Sequence, residues 1–304
     1  MENYVDTSYD KKLNAIPFFK IHPSFLPYVG VNYRDTKLKI LHIGNCHYIE
    51  PSQDPDFKYD FSFFKDKWFT EEIPVLPEAY DLDRQMSKCK AYNKKTQEPS
   101  CENAWNQYCL NTRNVVIEQL RDKRDELNLV GKKKYSIYTS TMKMLQETVG
   151  NHLFGNNQDE KQIPDLRTEA RAYTYIAYTD FHMFPALAHG DGTVKNRLKE
   201  TAKKEAEEKS HEISKQQIDD FYKKIVDISR EVLNSVIQII KPDIILITSA
   251  NVRDILRDYF TPPSEYADKV FITYHPNAHI TNLERENNKK AFKTKADEIM
   301  KGKE

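Results

Sequence analysis

The sequence predicts an α/β protein, a three-layer α/β/α sandwich around a central, mostly parallel four-stranded sheet. Three observations carry that expectation. Short β-branched or aromatic runs at 38–43, 172–178, 243–248 and 269–274 alternate with helical stretches, and alternation of this kind feeds parallel pairing through right-handed crossovers. The run Asp243-Ile-Ile-Leu-Ile-Thr248 is apolar without a break at its centre, as a strand buried on both faces must be. Ile218, Phe221, Ile225, Ile228, Val232, Val236 and Ile239 recur at helical spacing and form a stripe that needs a sheet to cover it.

The first strand is expected over Leu38–Ile43 and is expected to stop at Gly44. Beyond it lies a loop in which Asn45, Cys46, His47 and Tyr48 set amide, thiol, imidazole and phenol side by side. A second reading makes His47 and Tyr48 plain caps on the core. Upstream, Pro17, Pro23 and Pro27 forbid a long helix, while Ile16, Phe18, Phe19, Phe25, Leu26 and Tyr28 can wrap onto a core. Residues 52–80 interleave Phe57, Tyr59, Phe61, Phe63, Phe64, Trp68 and Phe69 with Lys58, Lys65 and Lys67. That pattern suits either a buried insertion or a base-stacking track.

Helices are expected over 101–127 and Ser140–Val149, the latter closed by Gly150 and Asn151, with a basic turn at Gly131–Lys134 between them. A strand over Ala172–Tyr178 then delivers Thr179 and Asp180. A charged helix over 195–210 precedes the long amphipathic helix. Ser249, Ala250 and Asn251 follow the third strand and lead into a helix over Val252–Tyr259. The last strand, Lys269–Tyr274, ends in His275-Pro276-Asn277-Ala278-His279, and a basic helix closes the chain over Glu284–Lys301. The organisation expected is one domain over 1–304, with an insertion at 52–135 and a charged helical excursion at 193–217.

Composition narrows the function classes. Of the 304 residues 30% are charged and 39% hydrophobic, with no apolar run of bilayer length and no leader pattern, so a soluble, cytoplasmic protein without a membrane partner is expected. Cys46, Cys89, Cys101 and Cys109 lack the paired spacing of structural zinc. His182, His189 and His279 with Asp180 or Asp191 match no zinc pattern either, so neither metal nor cofactor is expected. Lys plus Arg and Asp plus Glu number 46 each, so any nucleic-acid contact must come from local patches.

In their order, Gly44-Asn-Cys-His-Tyr48 after the first strand, a polar residue closing the second, Asp243-Ile-Ile-Leu-Ile-Thr-Ser-Ala250 before a helix and His275-Pro-Asn277 after the last strand resemble the uracil-DNA glycosylase superfamily. The likeness is to its divergent branch with Gly-Glu-Ser-His-Tyr, and Pro27-Tyr28-Val29-Gly30 is similar to that branch as well. It runs along the strand framework from Leu38 to His279 and leaves 52–170 without a counterpart. The resemblance implies a DNA glycosylase-like hydrolase that cleaves the N-glycosidic bond of a flipped base.

Under the resemblance Gly44 opens the water-activating loop and Tyr48 walls the base pocket. Asp180 stands where the family keeps the asparagine that reads the base edge. His275 bonds the base oxygen as charge leaves the sugar, and Pro276 and Asn277 press the DNA backbone. Cys46 departs from the pattern, since well-known members carry there the aspartate that positions water. Asn45, His47 or Glu50 can orient it instead. The expected catalytic residues are Asn45, His47 and His275, with Gly44, Cys46, Tyr48 and Asp180 on the base. Ser249, Asn251, Asn277, Lys289, Lys290 and Lys293 are expected on the DNA backbone. A carboxylate only accepts hydrogen bonds, so Asp180 implies a cytosine-type or modified cytosine base over uracil. Two other readings stand beside this one: an inactive nucleic-acid or nucleotide-binding protein on the same fold, and a nucleoside or nucleotide hydrolase acting on free substrate. His22-Pro23-Ser24 mimics the final motif but follows no strand, and His42 reads as a core histidine.

Overall fold

A computed structural model describes residues 4–49, 60–70, 111–121, 136–155, 163, 166–187, 193–257, 265–274, 278 and 280–303. In chain order the elements are α1 (Asp10–Leu13), α2 (Pro17–Ile21), β1 (Tyr28–Val29), β2 (Ile40–Ile49), α3 (Phe61–Lys67), α4 (Thr112–Leu120), α5 (Ser136–Phe154), a 3-10 segment (Thr168–Tyr175) and β3 (Ala177–Leu187). There follow α6 (Val194–Lys209), α7 (Lys215–Ile240), β4 (Ile244–Ile247), α8 (Ala250–Leu256), β5 (Val270–Ile272) and α9 (Asn282–Lys301).

The chain is α/β, with one mixed five-stranded sheet in the order β1-β3-β2-β4-β5. Pairings β3 with β2, β2 with β4 and β4 with β5 are parallel, and β1 runs antiparallel along β3. The fifth strand comes from the N-terminal wrap. Its neighbour Gly30 lies so close to the 3-10 segment that a Cβ there would fall 2.3 Å from the Thr174 carbonyl oxygen, so only glycine fits. Ile244–Ile247 are buried throughout, as their unbroken apolar run requires.

The two faces of the sheet hold separate cores. On one, Leu41, Ile43, Phe181 and Ile247 pack with Phe221, Ile225, Val232 and Val236 of α7 and with Val252 and Leu256 of α8. Val194, Leu198 and Ala202 of α6 join this core, so the charged helix has an anchored face. Phe61, Phe64 and Trp68 also lie in it, which favours the buried-insertion reading for that part of 52–80. On the other face, Ile40, Tyr178, Ile244 and Leu246 pack against Met142, Leu145 and Val149 of α5 and Phe292 and Ala296 of α9.

The largest departures from the expected boundaries fall in β2, β3 and α5. β2 does not turn at Gly44 but runs on to Ile49, because β3 also continues past Asp180 and offers partners: Gly44 opposite Asp180, Cys46 opposite His182, Tyr48 opposite Ala186, with an irregularity before Tyr48. β3 starts at Ala177, since Ala172, Tyr173 and Tyr175 are buried from a 3-10 coil instead of from an extended strand. α5 passes through Gly150 and stops at Gly155, whose φ of +54° suits glycine. The basic turn at 131–134 lies outside the described residues.

Candidate functional site at the carboxyl ends of β2 and β3

The side chain of Asp180 sits directly over the backbone of Gly44. A Cβ on Gly44 would lie 2.2 Å from the Tyr178 hydroxyl and 2.3 Å from Asp180 Oδ1, so the missing side chain is what makes room for this pair. Tyr178 donates its hydroxyl to Asp180 Oδ1 at 2.8 Å, and Tyr138 of α5 donates to the Tyr178 hydroxyl at 3.2 Å. Burial, and then the neighbouring Asp180, push the Tyr178 phenol well above its usual pKa, so it stays a donor.

On the other oxygen, Asp180 Oδ2 lies 3.4 Å from His47 Nε2, with both side chains buried. Thr112 Oγ1 at the start of α4 is 2.9 Å from the same nitrogen, and the Phe25 ring meets the imidazole edge-on at 4.5 Å. A carboxylate at this distance favours the proton on Nε2, which leaves the lone pair of the neutral ring on Nδ1. The arrangement is a buried carboxylate–imidazole pair, braced by two tyrosines on one side and a threonine on the other.

His42, one residue pair back along β2, is fully buried with its Nδ1 2.6 Å from the Tyr173 hydroxyl and its Nε2 2.9 Å from Thr248 Oγ1. Burial holds its pKa down to about 3, so it is a neutral core brace. His22 is likewise core: it stacks on Trp68 at 4.2 Å and donates to the Trp68 carbonyl.

His182 Nδ1 donates to the Asn45 carbonyl at 3.0 Å. His182 is fully buried, with its pKa pushed down to about 4 by burial. Its Nε2, together with Asn45 Oδ1 and Asn251 Nδ2, is buried without a hydrogen-bond partner.

Gly44, His47 and Asp180 are therefore brought together, and Asn45 stands beside His182. Cys46 is buried in the α7-side core. Ser249 caps α8 by accepting from the Val252 N–H at 3.3 Å, which engages the oxygen expected on a phosphate. Lys289 pairs with Glu147 and Glu286, Lys293 pairs with Asp297, and Lys290 is exposed. Tyr48 has its backbone in β2, and its side chain lies outside the described residues, as do Glu50, His275, Pro276, Asn277, His279, His189 and Asp191. A shallow depression of about 80 Å³ is bounded by Thr141, Met144, Tyr274, Ile280 and Arg285. Among the described residues no His, Cys, Asp and Glu group is placed to hold a metal ion.

Three participants escape the sequence reading, Thr112, Tyr138 and Tyr178, while the sequence offers His182 only in the polar run after the second strand and as a metal ligand. Tyr178 and His182 lie two residues either side of Asp180, the spacing at which strand residues share a face, so strand periodicity could have found them. Thr112 and Tyr138 arrive from helices with no local signal. Fold and site together define an α/β protein with a buried histidine–aspartate pair at the carboxyl edge of its parallel strands. The chain matches no family model, no curated protein and no solved structure.

Proposed function

We propose that this chain hydrolyses the N-glycosidic bond of a nucleotide in DNA, with His47 as the general base for water and Asp180 as its orienting carboxylate. The observation that carries the reading is the buried His47–Asp180 contact at the strand ends. The parallel order β3-β2-β4-β5 lends support. The chain leaves β2 toward one side of the sheet and β4 toward the other, and ligands of open α/β sheets bind in the crevice beside such a switch point.

In the reaction the water oxygen bonds to the sugar C1′ as the C1′–N bond breaks, and the bonding electrons leave with the base. The water proton passes to the His47 imidazole. Asp180 then stabilises the imidazolium, while Thr112 and Phe25 keep the ring from turning. Both Asp180 oxygens already have protein partners, so Asp180 acts here on His47 and not on the base edge, a revision of the role the resemblance implied. The transition state is oxocarbenium-like, and one positioned base accounts for about 10²–10⁴ of the rate.

A second reading, hydrolysis of free nucleosides or nucleotides, is favoured by one observation. Lys289 and Lys293 spend their charge on neighbouring carboxylates, which weakens a phosphate track. The test incubates the protein with duplex oligonucleotides containing uracil, cytosine or 5-methylcytosine, and separately with the free nucleosides and nucleotides, reading alkali-labile sites and released base. Abasic sites with wild type, reduced about 100-fold or more in His47→Gln, are expected. Release from free nucleotides alone supports the second reading. No released base from any substrate ends both.

A further inference from the structure

We infer that Arg113, clamped on Asp10, is a positioning residue for His47: one guanidinium ties down two of the groups that hold the imidazole, Thr112 and Phe25. The catalytic consequence rests on the hydrolase reading above, while the geometry involves other residues. Thr112 is the first residue of α4, and its Oγ1 lies 2.9 Å from His47 Nε2. Arg113, the next residue, sends Nη1 to Asp10 Oδ2 at 2.9 Å and Nη2 to Asp10 Oδ1 at 2.5 Å, a two-armed grip on α1. Its Nε donates to the Pro27 carbonyl at 3.0 Å. Pro27 stands two residues after Phe25, whose ring meets the imidazole edge-on.

α4 has nine residues, too few for a helix to hold its place alone, and its buried apolar residues Val116, Ile117 and Leu120 lie a turn or more beyond Thr112. They fix the body of the helix. The Arg113 bonds fix its first turn, the part that carries the Thr112 hydroxyl. A cation in that turn opposes the helix dipole, a cost that the Asp10 carboxylate offsets. Both side chains are partly buried, at 16% and 25% exposure, so salt screens this pair less than it would a surface pair. A guanidinium presents its donors as a rigid planar fork, whereas an ammonium is a compact point charge. Without the fork, the first turn of α4 and the segment bearing Phe25 are free to part, and the imidazole loses both braces together.

The test uses the full chain, labelled with ¹⁵N in histidine, and reads the His47 ring resonances together with kcat and KM in the base-release assay. Arg113→Lys keeps the charge but cannot hold the Asp10 fork and the Pro27 carbonyl together. It is expected to draw the two His47 ring resonances toward one another, as exchange between tautomers does, and to lower kcat about 10–100-fold with KM nearly unchanged. The resonances of His42, which Tyr173 and Thr248 hold, should stay in place. Asp10→Asn leaves the Pro27 bond intact and should shift His47 in the same sense by less, which keeps the inference open to refutation if the lysine variant does not fold. Because Arg113 acts partly through Thr112, the losses in Arg113→Lys and Thr112→Val should combine to less than their product. Unmoved His47 resonances in both Arg113→Lys and Asp10→Asn, a loss confined to the denaturation midpoint, or losses that multiply in full would each overturn the inference. No base released by wild type would instead sink the hydrolase reading, and the His47 resonances alone would then decide the clamp.

Discussion

Gly44 decides whether the His47–Asp180 pair can exist. In Gly44→Ala the new methyl must displace the Tyr178 hydroxyl and the Asp180 carboxylate together, an overpacking that typically costs about 1–3 kcal/mol. The expected outcome is a lower denaturation midpoint with activity abolished, and Tyr178→Phe on that background should recover part of the stability by removing the nearer of the two clashing atoms. Asp180→Asn tests a different property. The amide can still accept from Tyr178, but its other half sets an N–H donor against His47 Nε2 and favours the wrong tautomer. A fall in kcat of about 100-fold or more is expected, with KM and the denaturation midpoint nearly unchanged. A parallel rise in KM would return Asp180 to the base edge. The chemistry of Gly44, His47 and Asp180 was legible as residue types in polar runs after strands. Their mutual contact was not, because it depends on β3 lying beside β2 in one register.

Among the elements, α7 was the most legible, since its apolar stripe is long and regular and its start carries a reciprocal cap between Ser214 and Gln217. The strands were less so. Gly44 and the polar residues after it have the composition of a loop, and only the matching polar run in β3 makes them a strand. The end of α7 offers a test of local backbone cost. Lys241 closes the helix at φ +52°, a left-handed conformation that glycine adopts without the clash of a Cβ. Lys241→Gly should raise stability by about 0.5–1 kcal/mol, read from chemical denaturation. Ser214→Ala at the other end should lower it by about 1 kcal/mol. If both changes were neutral, the ends of α7 would contribute little, and its stability would rest on the buried stripe alone.

At the scale of the whole molecule, three buried histidines set the acid limit of the fold. His22, His42 and His182 have folded pKa values of about 4, 3 and 4, each lowered chiefly by burial, against an ordinary value of 6.5. Unfolding exposes them to water, so between pH 6.5 and about 4 the unfolded chain binds more protons than the folded one, and stability falls as pH falls through that window. With three groups the slope can reach about 4 kcal/mol per pH unit. Denaturation midpoints flat from pH 7 to pH 5 would show that these rings are not held neutral. The order of the sheet has a further consequence, for synthesis on the ribosome. β2 is the first long strand to emerge, yet it lies in the middle of the sheet and pairs with β3 and β4. Its apolar residues Leu41 and Ile43 therefore wait uncovered while roughly 200 further residues are added, about 10–40 s at ordinary rates of elongation. The nascent chain thus carries an adhesive segment through most of its translation.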